Sequence, residues 1–169
     1  METNNKNLPN ENSNTDTGDR KGNKEIIIVT GSSGLIGSAL IHKIAPLYRL
    51  AGLDNAGYPY PPAEAECICL DITSDASVKF AFDRIRYEYG GKITSVVHLA
   101  AYYDFLGKPS TLYDEITVKG TERLIKTLQA FEVEQFIFSS SMLIYKPTLP
   151  GKKMNEEWAL EPKWDYPKS

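Results

Sequence analysis

Hydrophobic and polar positions alternate along residues 25–169 in a pattern typical of strands and helices that follow one another. A β-branched run over 25–30, which ends in a glycine-rich turn, predicts a strand buried on both faces. The same reasoning predicts strands over 47–53, 66–70, 93–99 and 135–139, and helices over 35–45, from Ser74 to Gly90, and over 110–130. Such alternation predicts an α/β fold, in which a parallel, doubly wound sheet is connected by right-handed crossovers.

The first 24 residues follow no such pattern. They hold seven asparagines and two apolar side chains, Met1 and Leu8, and their charges cancel. A segment of this composition cannot bury enough apolar surface to offset its ordering entropy. It also lacks the apolar core of a secretory signal. We therefore expect residues 1–24 to be a disordered polar tail and residues 25–169 to form one domain.

Composition and charge exclude several classes of function. The chain of 169 residues carries a net charge of -3, so the basic surface of a nucleic-acid-binding protein is missing. Its apolar runs are too short for a membrane helix, which predicts a cytoplasmic protein. Cys67 and Cys69 fall on one face of a strand without partner ligands, so we expect core packing and no metal site.

The turn after the first strand carries the clearest chemical signal. Gly31, Gly34 and Gly37 have the spacing G-x-x-G-x-x-G between a buried strand and an amphipathic helix. Glycines let the backbone approach a diphosphate closely, and the helix that follows offers free N–H groups and its positive dipole end. We therefore predict dinucleotide binding by this Rossmann-type turn, with Ser33, Leu35 and Ile36 among the contacts; the alternative is a glycine-rich turn without a ligand.

Acidic residues follow the second and third strands. Asp54 lies 23 residues beyond Gly31, near the spacing of an acid that binds the adenosine ribose. A carboxylate there repels a 2′-phosphate, which favours NAD over NADP. Asp71 is placed to hold the adenine amino group while Ile72 covers the ring. The alternatives are an exposed loop aspartate at position 54 and a helix-capping aspartate at position 71.

The later strand ends carry small and hydroxylated residues. His98 is followed by Leu99, Ala100 and Ala101, whose size lets the backbone approach a cofactor, and the fifth strand ends in Ser139-Ser140-Ser141. Tyr166 follows 25 residues after Ser141. We interpret His98 as a structural residue, because a histidine at a strand end is usually satisfied by its surroundings.

The ordered set of these motifs resembles the extended short-chain dehydrogenase/reductase superfamily, in its NAD-dependent epimerase/dehydratase branch. The residues that carry the resemblance are Gly31, Gly34 and Gly37, Asp71-Ile72, His98 to Ala101, Val118 to Thr121, Phe138 to Ser141 and Tyr166 to Ser169. The resemblance implies a Rossmann-type domain that binds NAD through the turn, strand-end residues and Ser139. It further implies that Tyr166 moves a proton and that Ser141 binds the substrate oxygen.

The resemblance also implies features that residues 1–169 do not contain. The family's lysine, four residues after the tyrosine, would be residue 170, and a sixth strand and a substrate domain would follow it. We therefore expect a fragment that ends before these parts, inactive by itself. Its exposed sheet edge would favour a homodimer or pairing with the missing C-terminal half.

Departures from the family pattern leave the substrate open. Thr117 stands where the family often has asparagine, and no Asp-Glu pair lies between Ser141 and Tyr145. A small-molecule substrate such as a sugar nucleotide fits the family. The aromatic side chains after the fourth strand instead suit a flatter, more apolar substrate, as in 3β-hydroxysteroid-type and flavonoid-type reductases. A non-catalytic NAD-binding module and a truncated remnant are the remaining alternatives.

Overall fold

The computed structural model describes residues 25–55 and 62–169. The predicted disordered tail lies outside the described residues, and so does most of the loop predicted over 55–62. None of the helices in the described ranges is long and apolar enough to span a membrane.

Five parallel strands form one sheet in the order β3-β2-β1-β4-β5. From β1 the next two strands, β2 and β3, are added on one side, and β4 and β5 are added on the other. Ligands in doubly wound folds bind at this switch in strand order, between β1 and β4. The predicted α/β, Rossmann-type fold is therefore confirmed. The strands are β1 (Ile26–Thr30), β2 (Arg49–Asp54), β3 (Glu66–Cys69), β4 (Lys92–His98) and β5 (Glu132–Phe138).

Helices cover both faces of the sheet. They are α1 (Leu35–Ile44), α2 (Asp75–Tyr89), a π-helical segment (Tyr113–Val118) that continues into α3 (Lys119–Leu128), a 3-10 turn (Met142–Ile144) and the short α4 (Asp165–Lys168). Alternate residues of β1 point to opposite faces, because side chains alternate along a strand. Ile26 and Ile28 join a core with α2 and α3, whereas Ile27 and Val29 join a smaller core with α1.

Three elements differ most from the predictions, and the other bounds agree to within one residue. Strand β2 begins at Arg49, because the amides of Leu47 and Tyr48 bond to Ile44 O in the turn that ends α1. Strand β5 begins three residues early, at Glu132, where it already pairs with β4. The helix predicted over 110–130 starts as a π-helix, which a 3.6-residue period does not reveal.

Packing at the β3 edge of the sheet differs from expectation, whereas exposed apolar side chains at the β5 edge were expected. Cys69 is exposed and Cys67 is only half-buried, because β3 is an edge strand, so the prediction that both pack in the core is wrong. At the other edge, Phe136, Ile137 and Phe138 of β5 are between 37% and 50% exposed.

Candidate functional site

The glycine turn between β1 and α1 has no space for side chains. Gly31 has φ +68, in the left-handed region that favours glycine, and a Cβ there would lie 2.9 Å from the amide nitrogen of Ala100. A Cβ on Gly37 would lie 2.2 Å from the carbonyl oxygen of Gly31. The turn therefore exists in this shape only because both positions are glycine.

The first amides of α1 lie outside the hydrogen-bonded ladder of the helix. The i→i−4 bonding of the helix starts at the Ser38 amide, which donates to Gly34 O at 2.9 Å, so the amides of Leu35, Ile36 and Gly37 precede the hydrogen-bonded ladder. No acidic side chain occupies the first turn to offset the positive dipole end. These amides and the space left by the glycines form a cradle for an anion such as a diphosphate.

Asp54 lies beside this cradle, at the end of β2. Its Oδ2 accepts the Ser33 amide and its Oδ1 accepts the Asn55 amide, both at 2.8 Å. Each carboxylate oxygen keeps a lone pair for a further donor. The hydrogen bond between Ser33 and Asp54 thus joins two residues that are 21 positions apart in the sequence, and it fixes a carboxylate next to the glycine turn.

Asp71 and Ile72, the residues predicted to bind adenine, are largely engaged elsewhere. Asp71 Oδ1 accepts the amide of Thr73 at 2.9 Å and its hydroxyl at 2.7 Å, in a turn that leads into α2. Only Oδ2 is left for a ligand, and the residue that caps α2 is Ser74, not Asp71. Ile72 is buried beneath α3, where its Cγ2 would lie 3.0 Å from a Cβ on Gly120.

An open cavity of about 190 Å³ lies at the carboxyl ends of β4 and β5. It gathers the strand-end residues that the sequence analysis singled out, together with α4 and the π-helical segment. Among the residues that line it are His98, Leu99, Ala100, Ala101, Thr117, Ser139, Ser141 and Tyr166. The two predicted catalytic residues therefore share one cavity.

Ser141 is oriented by its own helical turn. Its Oγ accepts the amide of Leu143 at 3.2 Å as the cap of the 3-10 turn, and its hydroxyl proton remains free to donate. This arrangement suits the binding of a carbonyl or alkoxide oxygen. Without the capping bond, the hydroxyl would rotate freely.

Tyr166 is half-buried at the start of α4 and meets an aromatic wall. The ring of Tyr103 packs edge-on against it with centroids 4.7 Å apart, and Phe105 packs edge-on against Tyr103 at 4.9 Å. The ring of Tyr113 is a second neighbour of Tyr166, with ring centroids 6.4 Å apart. The loop after β4 therefore lies against the predicted proton-transfer residue.

The sequence analysis did not single out Thr30, and it noted Thr117 only as a departure from the family pattern. Thr30 Oγ1 lies 2.6 Å from Nδ1 of His98, and Thr117 Oγ1 accepts the Tyr102 amide at 3.0 Å. Burial of His98 lowers its pKa to about 4, so the imidazole is neutral at physiological pH. The placement of Thr30 at a strand end was the available signal, but its partner lies 68 residues away in the sequence.

Known proteins resemble this chain in sequence and in fold. A UDP-glucose 4-epimerase sequence of Klebsiella pneumoniae is 31% identical over 140 residues, which cover 73% of this chain and 96% of that sequence. The crystal structure of Thermus thermophilus UDP-glucose 4-epimerase in complex with NAD has a TM-score of 0.74 and 26% identity. The match covers 85% of this chain and 46% of that one.

A second structure has a similar fold at lower identity. Uronate dehydrogenase from Agrobacterium tumefaciens has a TM-score of 0.65 and 19% identity over 83% of this chain and 49% of that one. The chain thus spans about half the length of these solved relatives. The model of the NAD dependent epimerase/dehydratase family matches residues 27–169. The chain belongs to that family.

Proposed function

We propose that this chain binds NAD and forms the redox domain of an oxidoreductase or epimerase that acts at a hydroxyl or carbonyl carbon of a sugar nucleotide. The observation that carries the proposal is the glycine turn, whose backbone leaves no space for a Cβ at Gly31 or Gly37. The free amides of α1 and the carboxylate of Asp54 border the same turn. A diphosphate linked to a ribose fits this combination of donors and acceptor.

The cavity residues take complementary roles in this proposal. Bound NAD⁺ supplies a hydride acceptor at its nicotinamide ring. Ser141 donates its free hydroxyl proton to the substrate oxygen, because its Oγ already accepts the Leu143 amide. Tyr166 takes the proton of the substrate hydroxyl during oxidation and returns it during reduction. Ala100 and Ala101 are small enough for the cofactor to lie close to their backbone, and Ser139 completes the wall of the cavity.

Asp54 selects the cofactor, since its carboxylate attracts ribose hydroxyls and repels a 2′-phosphate. We expect Asp54→Asn to lower the affinity for NAD⁺ by about tenfold or more, because a hydrogen bond to a charged group contributes about 1.5–3 kcal/mol. The same change should narrow the preference for NAD⁺ over NADP⁺. Isothermal titration calorimetry with both dinucleotides measures the two effects.

Asp83→Asn is the matched control for this experiment. Asp83 is an exposed residue of α2 that pairs with Lys79, away from the glycine turn. Asp83→Asn removes one negative charge from the protein, as Asp54→Asn does. The binding curves of this variant for NAD⁺ and NADP⁺ should therefore match those of the wild type. Tight binding of NADP⁺ by the wild type, with NAD⁺ much weaker, would contradict the role given to Asp54.

The aromatic wall supports a second candidate function, that of an alcohol or ketone oxidoreductase for a flatter, more apolar substrate. Tyr103 is 49% exposed and Phe105 is 92% exposed beside the cavity that holds Tyr166. Aromatic faces of this kind bind apolar rings. Saturation-transfer NMR on the NAD⁺-loaded chain separates the candidates: UDP-sugars contact the protein in the first, and polycyclic secondary alcohols in the second.

A further inference from the structure

The strongest feature that the proposed function leaves unexplained is a buried chain of hydrogen bonds through His98. The chain links Thr30 at the end of β1, His98 at the end of β4, and Thr121 in α3, and it ends at the carbonyl of Thr117 in the π-helical segment. His98 is 1% exposed, and its ring lies against Phe136 and Phe138. The four side chains that surround the imidazole, those of Thr30, Thr121, Phe136 and Phe138, are uncharged.

The direction of each bond follows from the partners of Thr30 and Thr121. Thr30 Oγ1 accepts the Ala100 amide and shares the Leu99 amide with its own carbonyl oxygen, each at 3.2 Å. The single hydroxyl proton of Thr121 goes to Thr117 O, so Thr121 Oγ1 accepts from Nε2 of His98, and the Thr30 hydroxyl, 2.6 Å from Nδ1, is the donor there. Nδ1 is therefore an acceptor, and a neutral imidazole must carry its proton on Nε2.

The rest of the chain follows in the same direction. Nε2–H of His98 donates to Thr121 Oγ1 at 2.8 Å, and the Thr121 hydroxyl donates to Thr117 O at 2.5 Å. Each donor has an acceptor and each acceptor a donor. An imidazolium would place a second N–H against Thr30 Oγ1, which already accepts from the Leu99 and Ala100 amides.

This chain of hydrogen bonds holds the segment 99–102, which lies between the glycine turn and the cavity that contains Tyr166. The amide nitrogen of Ala100 lies 2.9 Å from the position that a Cβ on Gly31 would take, and the Tyr102 amide donates to Thr117 Oγ1 at 3.0 Å. One end of the segment thus borders the glycine turn, and the other carries the aromatic loop. Hydrogen bonds that converge on both ends fix the shape of the backbone between them.

We propose that His98 is a positioning residue: as the Nε2–H tautomer, it joins Thr30 to Thr121 and thereby holds segment 99–102 in the conformation that the dinucleotide needs. The part of the inference that concerns dinucleotide binding rests on the proposed function. The tautomer of His98 rests on the hydrogen bonds alone. The imidazole does not itself exchange a proton with the substrate in this role.

The first test is the tautomer of His98 in the wild-type chain. In ¹⁵N NMR spectra of histidine-labelled protein, with His42→Asn used for assignment, we expect a proton on Nε2, none on Nδ1, and no protonation between pH 7 and pH 5. The low pKa of about 4 that burial gives the imidazole agrees with this range. A proton on Nδ1 would show that the hydrogen bonds do not run in this direction, whether or not the protein binds NAD⁺.

The second test compares Thr121→Val with Thr121→Ser. Valine keeps the shape but leaves Nε2–H without an acceptor, and serine keeps the hydroxyl. We expect Thr121→Val to weaken NAD⁺ binding by about fivefold or more and to speed solvent exchange of the Nε2 proton, with Thr121→Ser within about twofold of wild type. A folded Thr121→Val that binds NAD⁺ like the wild type would overturn the positioning role.

The two tests separate the possible failures. If the wild type binds no NAD⁺, the proposed function fails, and the positioning role fails with it. If NAD⁺ binds but Nδ1 carries the proton, only the present inference fails. If Thr121→Val does not fold, the wild-type spectra decide the tautomer, and Thr30→Ser against Thr30→Val repeats the binding comparison at the other end of the chain.

Discussion

Replacement of Gly37 by alanine is expected to abolish NAD⁺ binding, with a loss of affinity of about 100-fold or more. The added Cβ would lie 2.2 Å from Gly31 O and 2.9 Å from Ser32 Cα, and both neighbours are backbone atoms. Relief of this clash requires α1 to move away from β1, which separates the free amides from the rest of the cradle. Overpacking of this kind also costs about 1–3 kcal/mol of stability. Calorimetric titration and thermal unfolding measure the two effects.

Gly91→Ala provides the matched control. A Cβ at Gly91, in the turn between α2 and β4, would meet only the Nη1 end of Arg86, at 3.3 Å. A flexible side chain can shift by a few tenths of an ångström, so both binding and stability should stay near those of the wild type. Wild-type affinity in Gly37→Ala would show that the turn does not hold the cofactor.

A protein that consists of residues 1–169 alone is expected to show no measurable hydride transfer, against about 1–10³ s⁻¹ for typical enzymes. A phenol needs a neighbouring cation to act as a base at neutral pH. The family resemblance implies a lysine four residues after Tyr166, which would be residue 170. Lys168, two positions after Tyr166, also lines the cavity, but its side chain is exposed, so water and salt screen the charge that it could offer the phenol.

The assay follows absorbance of reduced nicotinamide with UDP-sugars, uronic acids and secondary alcohols. NAD⁺ binding measured on the same sample is its control, so that lack of turnover is not confused with lack of cofactor. Steady-state turnover at ordinary enzyme rates by residues 1–169 would show that the chain needs no lysine at position 170.

The sequence was sufficient to predict the succession of strands and helices along the chain as far as β5, because apolar periodicity and glycine turns are local signals. The 3-10 turn and α4, which follow β5, lie where only a loop was predicted. Ser74 caps α2 as predicted, through the Ser77 amide, and Gly90 follows the last residue of α2. The π-helical segment could not be predicted, since its i→i+5 bonding leaves the inward-facing pattern of Tyr113, Gly120 and Leu124 intact. The exposure of β5 depends on what covers the sheet, which the strand's own residues do not encode.

The candidate site divides in the same way. The glycine turn and Asp54 could be predicted, because their spacing along the chain reflects the fold directly. The engagement of Asp71 with Thr73 and the burial of Ile72 under Gly120 depend on side-chain packing, which spacing does not determine. The bond between Thr30 and His98 spans 68 residues, so only the pairing of β1 with β4 brings the two side chains together.

The most direct test of dinucleotide binding is an NMR titration of the ¹⁵N-labelled chain with NAD⁺. Saturable binding at a single site is expected, with the largest amide shifts at Leu35, Ile36 and Gly37, where the helix amides precede its hydrogen-bonded ladder. Shifts confined to other surfaces, or no shifts at saturating NAD⁺ and NADP⁺, would contradict the proposal that the start of α1 binds the diphosphate.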